Sequence, residues 1–77
     1  MQVLLFANLT EACGARSVEV VIALPAHAAE VRVAAERQHP GLRGRTFRIA
    51  VNARYAAEGD AVTDGAKVAF LPPVAGG

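Results

Sequence analysis

The chain has 77 residues, near the lower size at which one hydrophobic core holds a fold, so a single domain over residues 1–77 is expected. Apolar residues make up 53% of it, which excludes a disordered segment, and an aromatic share of 5% makes the core aliphatic and Ala-rich. A net charge of +1, from seven Arg and one Lys against seven acids with no basic block, argues against a dedicated nucleic-acid domain.

The first element is QVLLFAN, Gln2 to Asn8, a continuous apolar run of strand length. Such runs mark strands buried on both faces and central in their sheets. The opening MQVLLFANL lacks the basic segment of a signal peptide, and no run approaches the ~20 apolar residues that cross a bilayer. LTEACGA follows as a short helical turn, with Thr10 and Glu11 in its first turn and Gly14 as its stop. SVEVVIAL, Ser17 to Leu24, carries Val18, Val20 and Ile22 at alternate positions and reads as a strand with one buried face.

Pro25 ends that strand, and HAAEVRVAAERQHPG predicts the main helix over about residues 27–39. Ala28, Val31, Ala34 and Ala35 share a face, while Glu30, Arg32, Glu36 and Arg37 lie mostly off it. Pro40-Gly41 stops the helix, GLRGR is a loop, and TFRIAVN, Thr46 to Asn52, alternates as a further strand. A short edge piece is expected around Tyr55, then turns at Glu58-Gly59-Asp60 and at Thr63 to Gly65. The last strand is AKVAFLPP, with Val68, Phe70 and Pro72 on one side and Lys67, Ala69 and Leu71 on the other. This order is α+β: a mixed sheet of four to five strands with one main helix over one face. No second helix is available for the other face, whose apolar residues are expected to be exposed and to mark a partner surface.

Few residues suggest catalysis. Cys13, the only cysteine, excludes an internal disulfide, fits a reducing, cytoplasmic location, and reads as a small apolar filler. His27 and His39 sit at opposite ends of the helix and cannot share a metal from one face, so no metal site is expected. GLRGRT lacks the Gly-Lys-Ser/Thr ending of a phosphate loop and follows a helix instead of opening one. Arg43, Arg45, Arg48 and Arg54 read as solvated, with the docking of an acidic partner as the lesser alternative. Nothing assembles a base, a nucleophile and an oxyanion site, so the chain is not expected to be an enzyme on its own.

The tail FLPPVAGG, Phe70 to Gly77, has two readings: a frayed end, or an arm made to enter another protein. Pro72-Pro73 fixes two φ angles and favours an extended exit, and six residues from Pro72 to Gly77 span about 20 Å if extended. Val74, Ala75, Gly76 and Gly77 are small and uncharged and fit a narrow channel. A terminal carboxylate, with an unperturbed pKa of about 3.3–3.7, is a poor electrophile until a partner activates it.

AVNARY, DAVTDGAKVAFLPPVAGG, the opening VLLFAN, and AEVR with RQHPGL around the main helix resemble the small subunit of molybdopterin synthase. That is a family of ubiquitin-like β-grasp sulfur carriers, and the resemblance spans most of the chain. It implies a β-grasp fold with a flexible Gly-Gly tail over residues 72–77. It also implies that an adenylyltransferase related to ubiquitin-activating enzymes consumes ATP to adenylate Gly77, which sulfur transfer converts to a thiocarboxylate. The tail then enters the active site of the large synthase subunit and donates sulfur to a cyclic pyranopterin phosphate, during molybdenum cofactor biosynthesis. By position, Gly77 is the acyl and sulfur carrier and Gly76 the thin neck; Phe6, Val62, Phe70 and Leu71 fall where the family has apolar residues that support or contact partners. Pro72, Pro73, Val74 and Ala75 complete the partner-binding arm. A heterotetramer with the large subunit, no bound cofactor and no nucleic acid or membrane partner are implied.

The sequence departs from the family after TDG, where Ala66-Lys67 replaces a common acidic pair, and in the helix, where Ala28 and Ala35 replace larger aliphatics. The runner-up keeps the fold and changes the acceptor, to thiamine or tRNA thiolation or to protein modification. A plain interaction domain with an idle tail is the remaining alternative.

Overall fold

A computed structural model describes residues 1–73. The chain runs β1 (Gln2–Leu5), α1 (Asn8–Cys13), β2 (Ser17–Glu19), β3 (Ala26–His27), α2 (Ala28–Gln38), a 3-10 turn (Pro40–Leu42), β4 (Arg48–Val51), β5 (Arg54–Tyr55), β6 (Ala61–Val62) and β7 (Val68–Leu71). Five strands form one mixed sheet in the order β2-β1-β7-β4-β5, and β3 pairs with β6 in a separate two-stranded ribbon. β7 is the central strand, parallel to β1 and antiparallel to β4. The mixed five-stranded sheet with one main helix is the architecture expected from the element order.

Alternation along each strand decides what the sheet buries. Val3, Leu5, Val18, Ile49, Val68 and Phe70 point to the helical side and are buried, where they meet Ala28, Val31, Ala34 and Ala35 of α2 and Leu9 of α1. The four predicted helix residues are the four that α2 buries. Phe70, fully buried, packs against Phe47 with ring centroids 4.7 Å apart, and the Arg32 guanidinium lies 4.5 Å above the Phe47 ring.

β1 corrects its expectation. Leu4 and Phe6 alternate with Val3 and Leu5 and remain 51% and 45% exposed, so the strand is buried on one face only. A continuous apolar run satisfies either arrangement, and no second layer covers this side among the described residues.

The strand expected over Ser17 to Leu24 stops at Glu19. The Gln38 side chain takes the place of a neighbouring strand: Val21 N–H donates to its Oε1, and its Nε2 donates to the Val21 carbonyl, both at 2.8 Å. His39 Nε2 lies 2.7 Å from the Glu19 carbonyl oxygen. The chain then passes a cis Leu24–Pro25 peptide into β3. The first amides of α2 donate to backbone carbonyls of the loop between β5 and β6, Ala28 to Asp60 and Ala29 to Glu58, each at 2.9 Å, and the Glu30 carboxylate accepts from His27 N–H at 2.8 Å. These bonds satisfy donors that a helix start leaves orphaned. They explain why the ribbon β3–β6 exists, although two-residue strands carry no readable periodicity.

Helix α1 ends on Gly14 in the left-handed region, φ 68, as the sequence predicts. Gly41 has a different reason for being glycine. A Cβ there would overlap the carbonyl oxygen of Ala12, because the 3-10 turn packs directly on the backbone of α1. Gly41→Ala is therefore expected to destabilise the fold by about 1–3 kcal/mol through overpacking. At roughly 4–8 °C per kcal/mol in a domain of this size, the loss is measurable by calorimetry.

Candidate functional site

The sheet face opposite the helices is apolar and open. Register places Leu4 beside Ala69, Ala69 beside Ala50, and Ala50 beside Tyr55, so one row crosses four strands. A second row lies nearer the tail, with Phe6 following β1 and Leu71 paired with Arg48. Small side chains at Ala50, Ala53 and Ala69 leave a shallow depression between Phe6, Leu71 and Tyr55. Tyr55 is 49% exposed, and the Arg48 guanidinium stacks 3.8 Å from its ring centroid. β5 is delivered to this face by the turn at Asn52 and Ala53, both with positive φ of 52 and 68. Asn52 also ties that turn to β7: its N–H donates to the Lys67 carbonyl at 2.8 Å, and its Oδ1 accepts from Lys67 N–H at 2.9 Å.

The predicted partner residues divide along the pleat. Phe6 and Leu71 lie on the open face, and Pro72 and Pro73 continue directly from β7. Val62 and Phe70 do not belong with them. Both have no exposed surface, so this fold presents neither side chain to a partner; each is a core residue, which is the supporting part of the expectation. The reason is geometric: Phe70 has the opposite parity to Leu71 on one strand, and Val62 pairs with Ala26 beneath the helix start. Val74, Ala75, Gly76 and Gly77, the predicted insertable arm, lie outside the described residues. Reading residue types alone missed Leu4, Ala50, Tyr55 and Ala69. The signal for Leu4, Ala50 and Ala69 was the alternation of β1, β4 and β7, which places every second residue on the uncovered side, whereas Tyr55 is placed there by its pairing with Ala50.

The other candidates take quiet roles. Cys13 is half-buried, and burial pushes its thiol up more than the nearby Arg45 charge lowers it, which keeps it protonated at neutral pH. His27 caps α2 and His39 ends it. Among the described residues no group of His, Cys, Asp and Glu could hold a metal ion, and no helix is long and apolar enough to cross a membrane. GLRGRT is divided between the 3-10 turn and a loop beside the tail's base, where Arg43, Gly44, Arg45 and Thr46 line one cleft with Asn8, Pro72 and Pro73.

The site thus joins an apolar sheet face to a central strand that ends at Pro72-Pro73, where the described residues stop. The sequence model of the ThiS family matches residues 3–77. The fold is similar to the crystal structure of SAMP1 from Haloferax volcanii, with 31% identity and a TM-score of 0.84 over 100% of this chain and 98% of that one. It is similar to a molybdopterin converting factor subunit 1 from Pyrococcus furiosus, with 23% identity and a TM-score of 0.84 over 95% of each chain. It also resembles the small archaeal modifier protein 1 of Methanosarcina acetivorans, with 23% identity and a TM-score of 0.76 over 99% of this chain and 94% of that one. No curated protein matches the chain.

Proposed function

The chain belongs to the ThiS family, and from that premise we propose that it is the sulfur-carrier subunit of a molybdopterin synthase. In this reading an ATP-dependent adenylyltransferase activates Gly77 as an acyl-adenylate. A sulfur donor then displaces AMP and leaves a C-terminal thiocarboxylate. The tail carries it into the large subunit, where sulfur passes to a cyclic pyranopterin phosphate in the cytoplasm. Catalysis resides in the partners, and this chain supplies the acyl carrier and the docking face.

The observation that carries the reading is the continuity of the docking face with the arm. β7 is the central strand of the sheet, presents Leu71 outward and is followed at once by Pro72-Pro73, and in the sequence only Val74 and Ala75 separate these prolines from Gly76-Gly77. A partner gripping the open face therefore holds the base of the arm at a fixed position and direction. The family match and the sequence resemblance supply what the arm carries.

A second reading has a specific observation in its favour. The 31% identity to SAMP1, over the whole of this chain, supports a ubiquitin-like modifier whose activated Gly77 forms an amide with a lysine. Both readings share the adenylate and separate at the acceptor. Incubation with ATP, the host's adenylating enzyme and a sulfur donor is expected to add about one sulfur-for-oxygen of mass at the C-terminus. Absence of any adduct sinks both readings, while recovery of Gly77 in amide linkage to lysines selects the modifier.

A further inference from the structure

Charge is unevenly placed on this molecule. Arg43 and Arg45 line the cleft at the base of Pro72-Pro73, Arg48 pairs with Leu71 at the end of β7, and Arg16 flanks Phe6. All four are exposed, with Arg43 and Arg45 beside Pro72 and Pro73, Arg48 across from Leu71, and Arg16 beside Phe6 at the same end of the sheet. The acids are mostly elsewhere. Glu19 meets the N-terminal ammonium at the opposite end of β1, Asp64 lies beside Met1 and Gln2, and Glu30, Glu58 and Asp60 gather at the start of α2. Glu11 and Glu36 are closer, on α1 and the last turns of α2, but among the described residues no carboxylate makes an ion pair with any of the four arginines.

Three of these side chains are also held in place. Arg43 Nε donates to the Glu36 carbonyl at 3.0 Å, and Arg45 Nε donates to the Gly41 carbonyl at 3.3 Å. Arg48 is fixed by its stack on Tyr55. Ordering a long side chain usually costs about 1.5–2 kcal/mol on binding, and here part of that cost is met in the unbound protein. Guanidinium groups held in this way retain outward N–H donors suited to carboxylates.

We propose that the arginine collar formed by Arg16, Arg43, Arg45 and Arg48 docks on carboxylates that rim the channel of the enzyme that activates the tail. The inference rests on the carrier reading above, and it adds the chemistry of the partner's surface. An acidic protein rim suits this collar better than a nucleic acid does. Phe6 and Leu71 interrupt the positive charge where a phosphate backbone would need it continuous, and the net charge is only +1. The apolar centre supplies desolvated contact, and the surrounding charge steers the arm towards the channel before contact is made.

The test is the association rate of the full chain with its host's adenylating enzyme, by stopped flow at about 0.01 M and about 0.3 M salt. Two double variants are compared, R43Q/R45Q and R16Q/R48Q; the second removes no hydrogen bond to a backbone carbonyl and protects the test if the first folds poorly. Each is expected to associate about tenfold more slowly at low salt and to lose most of the salt dependence. Arg54→Gln, at the far end of the sheet, is expected to stay within about twofold of wild type by the same argument. Folded double variants with wild-type rates and salt dependence overturn the collar. So does a short single-stranded RNA that binds wild type but not the variants while enzyme association is unchanged. The adduct mass separates the two failures. A wild-type chain that is never adenylated overturns the carrier reading and the collar with it, whereas equal adenylation and equal association rates in wild type and variants overturn the collar alone.

Discussion

Deletion of Gly76-Gly77 is expected to abolish formation of the acyl-adenylate and the thiocarboxylate, and with them complementation of a strain lacking molybdenum cofactor synthesis. The loss is expected to be complete, because the reacting carbonyl is the terminus itself. Shortening by two residues withdraws it by about 7 Å of extended chain and replaces an unhindered glycine by Ala75. Effective catalysis depends on placing reacting atoms to within about an ångström, so a displacement of this size is not rescued by tighter docking. The thermal midpoint is expected to be unchanged, since both residues follow the last strand in the chain and carry no side chain to bury. A truncated chain that still complements would show that the tail is idle and the protein a plain interaction domain.

The second large effect is on stability. Phe70→Ala is expected to cost about 3–5 kcal/mol, the usual price of removing a fully buried aromatic side chain. For 77 residues the whole stability is about 4–12 kcal/mol, so the variant is expected to be marginal or unfolded at 37 °C. Phe70 has no exposed surface, stands on the central strand and packs against Phe47 at 4.7 Å between centroids. Urea titration of Phe70→Ala beside Leu71→Ala tests the division of roles along β7. The outward Leu71 is expected to change the unfolding midpoint little and to weaken partner binding. A Phe70→Ala chain as stable as wild type but deficient in binding would restore Phe70 to the contact surface.

This division shows where reading the sequence succeeds. Helix α2 and its buried face were legible because four small or branched apolar residues recur at helical spacing, and nothing distant was needed to interpret them. β7 was legible as an alternating strand, but parity alone does not say which face is covered. The resemblance therefore grouped Phe70 with Leu71 as residues that support or contact partners, although one strand sends them in opposite directions. Val62, too, was not sorted between support and contact by its place in the sequence. Its two-residue strand has no pattern, and only pairing with Ala26 reveals that it lies under the helix start. The early end of β2 was equally hidden, since the group that replaces its neighbouring strand, Gln38, is seventeen residues from Val21 in the chain.

The order of the five sheet strands and two helices, the single main helix, the unfilled sheet face and the Pro-Pro-to-Gly-Gly arm were legible in the sequence, because each follows from local periodicity, turn chemistry or composition. Which apolar residues face outward, and which arginines lie near the arm's base, depends on packing between distant segments. Parallel pairing of β1 with β7 brings Phe6 to Leu71, and the packing of the loop after α2 brings Arg43 and Arg45 to Pro72-Pro73. Those neighbours are set by register and packing between segments far apart in the chain, and local spacing does not encode them.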